Sequence, residues 1–198
     1  MLRKDADTRY PVNELIRKRW SGRAFSEKMI TEEVVEQLLE AASWAPSSMN
    51  EQPWRYIIGY KGDENFERMV NLLNPRNAVW AKDAPVLLFS LAKNTYPNGS
   101  KNKHAWYDTG AANMNLMLEA AANDIITHVM GGADFLSAKE EFGISDEYDP
   151  VVFIALGYHG DPDSLPEPLN TRETAPRKRK PAEEIILKTQ SVNEPAHV

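Results

Sequence analysis

The chain contains no cysteine, which excludes disulfides, thiolate nucleophiles and cysteine metal sites. Any redox chemistry must then be carried by a borrowed cofactor. No apolar run approaches the roughly 18 residues that cross a bilayer. Met1 to Arg9 are polar and charged where a secretory signal needs an apolar core. No membrane association is expected, and the expected location is the cytoplasm. An excess of positive charge is also missing: 23 Lys and Arg face 29 Asp and Glu, for a net charge of -6. The long-range field therefore opposes binding to nucleic acid or an anionic surface. His104, His128, His159 and His197 are scattered without metal-ligand spacing, so no metal site is expected. A Gly-x-Ser-x-Gly elbow and a recognisable nucleophile and base pair are both lacking, which leaves ordinary hydrolase chemistry with little support.

What is present is a chain of 198 residues with 42% hydrophobic content, enough for one sizeable core. A single domain over residues 1–198 is expected, with a C-terminal extension from about residue 167. Short amphipathic spacing predicts a helix over Val12 to Lys18. Thr31 is an N-cap candidate before acids and an apolar pattern, Val35, Leu38, Leu39 and Ala42, at helical spacing. That helix should end before Pro46. Strands are expected at Trp54 to Tyr60, Pro85 to Leu91, Ile125 to Val129 and Val151 to Leu156. Helices are expected at Asn65 to Leu73 and Phe135 to Phe142. Between Ala105 and Asn123, small and apolar residues dominate nearly all round, which predicts a helix at the protein's centre. Pro162 to Pro168 should break regular structure. The tail beyond has little capacity to bury itself, yet carries Ile185-Ile186-Leu187, and is expected to pack on a partner subunit. Helices and strands mix without a βαβ rhythm, so the fold class is α+β.

Two basic clusters stand out in this acidic chain: Arg17-Lys18-Arg19 with Arg23, and Arg177-Lys178-Arg179-Lys180. Arginine's planar fork suits a phosphate, and Ser21 could add a hydroxyl donor. Two solvated charge runs would account for the same pattern. The loop Pro46-Ser47-Ser48-Met49-Asn50-Glu51-Gln52-Pro53 offers hydroxyls and carboxamides that match a heterocycle edge, or that simply cap a turn. Met130-Gly131-Gly132 follows a predicted strand, where glycines admit a ligand to the backbone or form an ordinary turn. Asp108, inside the central helix, reads as a structural hydrogen-bonding residue.

In order along the chain, Arg19-Trp20-Ser21-Gly22-Arg23-Ala24-Phe25, Ala45-Pro46-Ser47-Ser48-Met49-Asn50-Glu51-Gln52-Pro53-Trp54, His128-Val129-Met130-Gly131-Gly132, Ile154-Ala155-Leu156-Gly157-Tyr158 and Arg177-Lys178-Arg179-Lys180-Pro181 together resemble the nitroreductase family of FMN enzymes. The resemblance implies a nitroreductase-like α+β fold, a central, mostly antiparallel sheet flanked by helices, with the C-terminal tail wrapping the partner subunit. It implies a homodimer with FMN at the interface. Arg19, Ser21 and Arg179 would hold the phosphate, with Arg177 assisting and Trp20 in the same motif. Arg23 would face the pyrimidine edge of the flavin, where a cation stabilises the charge that develops on reduction. Pro46, Ser47, Ser48 and Asn50 would come from the other subunit.

By the same resemblance, Met130, Gly131 and Gly132 would place a backbone N–H near flavin N5. Some family members carry an acidic residue where Gly131 aligns. Ala133 stands where a bulky aromatic is common, and Asn77 and Trp80 would line the pocket. No side chain is expected to be catalytic, because the chemistry resides on FMN. The implied activity is ping-pong hydride transfer from NADH or NADPH to a small electrophilic acceptor such as a nitro compound or a quinone. A non-catalytic FMN-binding protein, or a specialised flavin reductase or dehalogenase, would use the same motifs.

Overall fold

Five side-chain oxygens decide where helices begin in the computed structural model, which describes residues 4–187. Asn13 accepts from the Leu15 N–H and opens α1 (Glu14–Lys18), and Thr31 accepts from Val34 and opens α2 (Glu32–Ser43). Asp63 caps α3 (Glu64–Leu72), Asn74 caps α4 (Pro75–Ala81), and Asp134 caps α6 (Phe135–Glu141). Each cap satisfies a donor the helix leaves orphaned, worth about 1 kcal/mol. Helix α5 spans Ala105–Ala122, and the short α7 (Leu169–Thr174) and α8 (Ala182–Ile185) follow in the extension. Helix α4 was not expected. Its signals are Asn74 as cap and Pro75 in the first turn, where a missing N–H costs nothing.

The four strands β1 (Trp54–Tyr60), β2 (Val86–Lys93), β3 (Ile125–Met130) and β4 (Tyr148–Tyr158) form one antiparallel sheet in the order β1-β2-β4-β3. The two central strands explain why their sequences are apolar without alternation: both of their faces are covered. Val86, Leu88, Ile154 and Leu156 face α2 and α5, meeting Val35, Leu38, Leu116 and Ala120. Leu87, Phe89, Phe153 and Ala155 face α3, α4 and α6, meeting Phe66, Met69, Trp80 and Ala138. Phe89 and Phe153 are register partners whose rings stack at 4.3 Å. Register shifts between Ser90 and Leu91, beside Pro150, which has no N–H to give the ladder.

Two expectations change. Helix α5 covers one face of the sheet and is buried along Ala105, Asp108, Thr109, Ala112, Asn113 and Leu116, but Trp106, Tyr107, Gly110 and Met114 face outward. It is therefore a flanking helix. Its inner face is pinned by Asn113, whose Oδ1 accepts from the Tyr56 hydroxyl at 2.8 Å and from Ser90 Oγ at 3.1 Å. Second, the near part of the extension packs on its own chain. Glu173 of α7 is 1% exposed against residues 22–24, and Arg177 bonds to the N-terminal segment. Ile185, Ile186 and Leu187 remain exposed, and residues 188–198 lie outside the described residues.

Candidate functional site

Segment 19–24, which leaves α1, alternates in burial. Trp20, Gly22 and Ala24 are buried, while Arg19, Ser21 and Arg23 are half-buried or exposed. Alternation at period two puts the second set on one side of the segment. The inward set is anchored to the end of β4. Trp20 stacks on His159 at 5.7 Å, the Gly160 N–H donates to the Ala24 carbonyl at 2.8 Å, and the Ser26 N–H donates to the Tyr158 carbonyl at 2.9 Å. The Trp20 side chain is thus core, and only its backbone is free to serve a ligand.

The tail brings its basic run to this segment. Arg177 Nη1 donates to the carbonyls of Lys4 at 2.8 Å and Arg17 at 2.7 Å. Burial holds the Arg19 guanidinium below its ordinary pKa, and the charges of Arg177 and Arg179 lower it further. The same causes act on Arg177, from burial and then from Arg179. Three like charges separated by about 160 residues in sequence are therefore gathered in one place. None of them forms an ion pair among the described residues. Asp5 offsets only part of this charge, at Arg177, and a phosphate accepts from several guanidinium forks at once.

Arg23 marks a second sector. Its guanidinium lies 5.8 Å from the Trp80 ring and 3.7 Å from Glu173 Oε2. Trp80 also packs on His128 at 4.5 Å, and His128 Nδ1 meets the Gly22 carbonyl at 3.1 Å. Burial, with the Arg23 charge second, lowers the His128 pKa to about 4, so its ring is neutral at pH 7. Asn77 Nδ2 donates to the Gly132 carbonyl at 3.2 Å, which joins α4 to the end of β3. A Cβ on Gly132 would collide with the Asn74 side chain, so this glycine serves packing. Gly131 has open space around it, and Met130 is a core side chain at 2% exposure. Between Arg23, α4 and residues 166–172 lies a cleft of about 820 Å³, large enough for a small organic molecule.

Pro46, Ser47, Ser48 and Asn50 are not brought to these sectors within the chain. Their loop is tied instead to α5 and Tyr96. The Ser48 N–H donates to Asp108 Oδ2 at 3.0 Å, and Ser48 Oγ lies 3.2 Å from the Tyr96 hydroxyl. Asp108 is therefore the structural residue its position suggested. Met49, Asn50 and Gln52 hold φ values of 55°, 57° and 49°, a left-handed conformation that side chains disfavour and that clusters at functional loops. Beside this loop, Trp44, Met49 and Tyr107 are each at least 80% exposed.

Glu173, His128 and Lys4 were not anticipated as site residues. Lys4 Nζ donates to the Glu173 carbonyl at 2.5 Å and lies 4.5 Å from the centre of the Trp20 ring. Nothing in the local sequence distinguishes Glu173 from the solvated acids around it. His128 had a signal in its place on a strand among buried neighbours. Among the described residues, no group of His, Asp and Glu could hold a metal ion, and no helix is long and apolar enough to cross a membrane.

The sequence profile of the nitroreductase family matches residues 16–74 and 64–158. An uncharacterized 15.4 kDa protein of Mycolicibacterium smegmatis is 30% identical over 141 residues, covering 67% of this chain and 94% of its own length. A relative from Archaeoglobus fulgidus, provisionally named an NADH dehydrogenase/NAD(P)H nitroreductase, is 44% identical over 75% of this chain and 85% of its own length. The crystal structure of an oxidoreductase containing FMN superposes with a TM-score of 0.87 at 33% identity, covering 95% of this chain and 96% of that one.

Proposed function

The chain belongs to the nitroreductase family, and from that membership we propose that it binds FMN at a homodimer interface and passes hydride from NADH or NADPH to a small electrophilic acceptor. The observation that carries this reading is the convergence of Arg19, Arg177 and Arg179, none of which forms an ion pair among the described residues and of which only Arg177 feels an acid, Asp5. The residues fit the cofactor's chemistry. Three guanidinium groups with the exposed Ser21 suit a terminal phosphate, and Arg23 over an aromatic floor suits the acceptor-bearing edge of a planar ring system that gains negative charge on reduction. When bound, FMN supplies reversible hydride acceptance at N5, so that donor oxidation and acceptor reduction proceed as separate half-reactions in a ping-pong cycle.

The protein's part is to hold and orient. Arg19 and Arg179, with Ser21, fix the phosphate end, and Arg177 fastens the tail so that Arg179 reaches it. Arg23 presents positive charge to the pyrimidine edge. The backbone at Gly131, where a side chain would otherwise intrude, is the candidate hydrogen-bond donor toward N5. Neutral His128 and Trp80 support the Arg23 sector without adding charge. The cleft beside Arg23 gives donor and acceptor room to enter in turn.

In this proposal the loop bearing Ser47, Ser48 and Asn50 completes the site of the partner subunit. The reading is supported by its separation from the arginine cluster in its own protomer and by the exposed Trp44, Met49, Trp106, Tyr107 and Met114 around it. Large apolar side chains left exposed in such numbers suit an interaction surface. One domain and a cytoplasmic location complete the proposal. Anaerobic titration of the purified protein with NADH and NADPH, followed in the flavin absorbance bands, tests it.

A further inference from the structure

We propose that Glu173 is a positioning residue that assembles the two sectors of the site, setting both the placement and the effective charge of Arg23. The proposal rests on the reading above that Arg23 faces the cofactor ring. Glu173 is 1% exposed, on a short helix whose other residues are half-buried or exposed. Its Oε1 accepts from the Arg23 N–H at 2.7 Å and from the Ala24 N–H at 3.1 Å. Its Oε2 has no hydrogen-bond partner among the described residues and lies 3.7 Å from Arg23 Nη1. One carboxylate thus grips the backbone of Arg23 and faces its guanidinium.

Gly22 is what admits it. A Cβ there would come within 3.1 Å of Glu173 Oε1 and 2.9 Å of Ile126 Cδ1, so a larger residue would push the carboxylate from the N–H groups. A buried carboxylate needs such partners to offset its desolvation. Lys4, from the N-terminal segment, donates to the Glu173 backbone carbonyl, which fastens the same turn from the other side.

Two consequences follow from one placement. Glu173 lies four residues before Arg177 and six before Arg179, so docking α7 at residues 22–24 sets the point from which the tail arginines reach Arg19. Its negative charge also offsets part of the positive field around Arg23, to which Arg172 adds. A reduced cofactor carries more negative charge than an oxidised one, so the carboxylate behind Arg23 tempers how strongly reduction is favoured.

The test is the midpoint potential and the FMN affinity of the holoprotein in three variants. Glu173→Gln keeps an oxygen for the two N–H groups and removes the charge. Its potential should move positive while FMN affinity stays within about threefold. Glu173→Ala removes both acceptor and charge, and FMN should bind at least about tenfold more weakly because α7 and the tail undock. Arg23→Gln, whose side chain is 23% exposed, should move the potential negative and provides the decisive comparison if Glu173→Gln fails to fold. An unchanged potential in Glu173→Gln, or in Arg23→Gln, would overturn the proposal, as would full FMN affinity in Glu173→Ala. If the wild-type protein took up no FMN, the proposed function would fail first, so the two failures are distinguishable.

Discussion

Arg177 reaches back 160 residues to donate to the carbonyl of Arg17 at 2.7 Å, closing the tail onto the segment that leads into Arg19. The same nitrogen also donates to the Lys4 carbonyl. Arg177 is therefore bound up in holding the chain, whereas Arg179 donates only to the adjacent Lys178 carbonyl among the described residues and keeps the rest of its fork free. Arg177→Ala should lower unfolding free energy by about 1–3 kcal/mol, since two carbonyls lose a charged donor. Urea denaturation of the variant and wild type measures it. A variant of unchanged stability would mean that the strap contributes nothing.

Arg19 and Arg179 should behave differently from Arg177. In the proposed site each makes a charge-assisted contact to the phosphate, so Arg19→Ala and Arg179→Ala should each weaken FMN binding by about 1.5–3 kcal/mol, roughly ten- to a hundredfold. The wild-type affinity should also fall with added salt, because the cluster is partly exposed. Fluorescence titration of the apoprotein with FMN gives both numbers.

Tyr107 is 80% exposed on the outer face of α5, so replacing it should leave the protomer folded. If that face joins two subunits, Tyr107→Arg introduces like charges against each other across it. The variant should sediment as a monomer and lose FMN in parallel, because the Ser47 to Asn50 loop of one subunit would no longer meet the arginines of the other. A monomeric variant that retained FMN fully would separate cofactor binding from assembly.

His128 gives the account a pH signature. Its folded pKa of about 4 lies below the ordinary 6.5, chiefly through burial. The unfolded chain therefore takes up a proton at a pH where the folded one does not. The stability this confers is complete above about pH 6.5, declines as pH falls toward 4, and changes no further below. The span corresponds to about 3 kcal/mol. His128→Gln should flatten the unfolding free energy between pH 6.5 and 4 relative to wild type, as read by urea melts at several pH values.

How much of this could be read from the sequence depends on whether a residue's role is set locally. Strand β1 and helix α2 carry their own signals, the apolar run from Trp54 to Tyr60 and the Thr31 cap, and both lie where expected. The α+β class followed from the mixed order of elements, the sheet's antiparallel character from the family resemblance, and its burial from the apolar run in β2. Helix α4 was hidden because seven residues hold only two buried side chains, Trp80 and Ala81, too few for a period. Gathering Arg19 with Arg177 is a long-range event that no local pattern encodes, and only the family resemblance pointed to it. Glu173 was illegible for a further reason. An acid in a polar helix reads as solvated until Gly22 is seen to open the backbone behind it. The outward stripe of α5 misled in the opposite direction, since exposed Trp106, Tyr107 and Met114 look in sequence like residues buried in a core.

The most direct measurement is the visible absorption spectrum of the purified protein, before and after NADH and NADPH are added without oxygen. The account predicts flavin bands that bleach with at least one of the nucleotides and return when a nitro compound or a quinone is supplied. Bands that persist with both nucleotides would contradict the reductase reading and leave a flavin carrier. A protein that shows no flavin bands after incubation with FMN would contradict the assignment of Arg19 and Arg179 to a flavin phosphate.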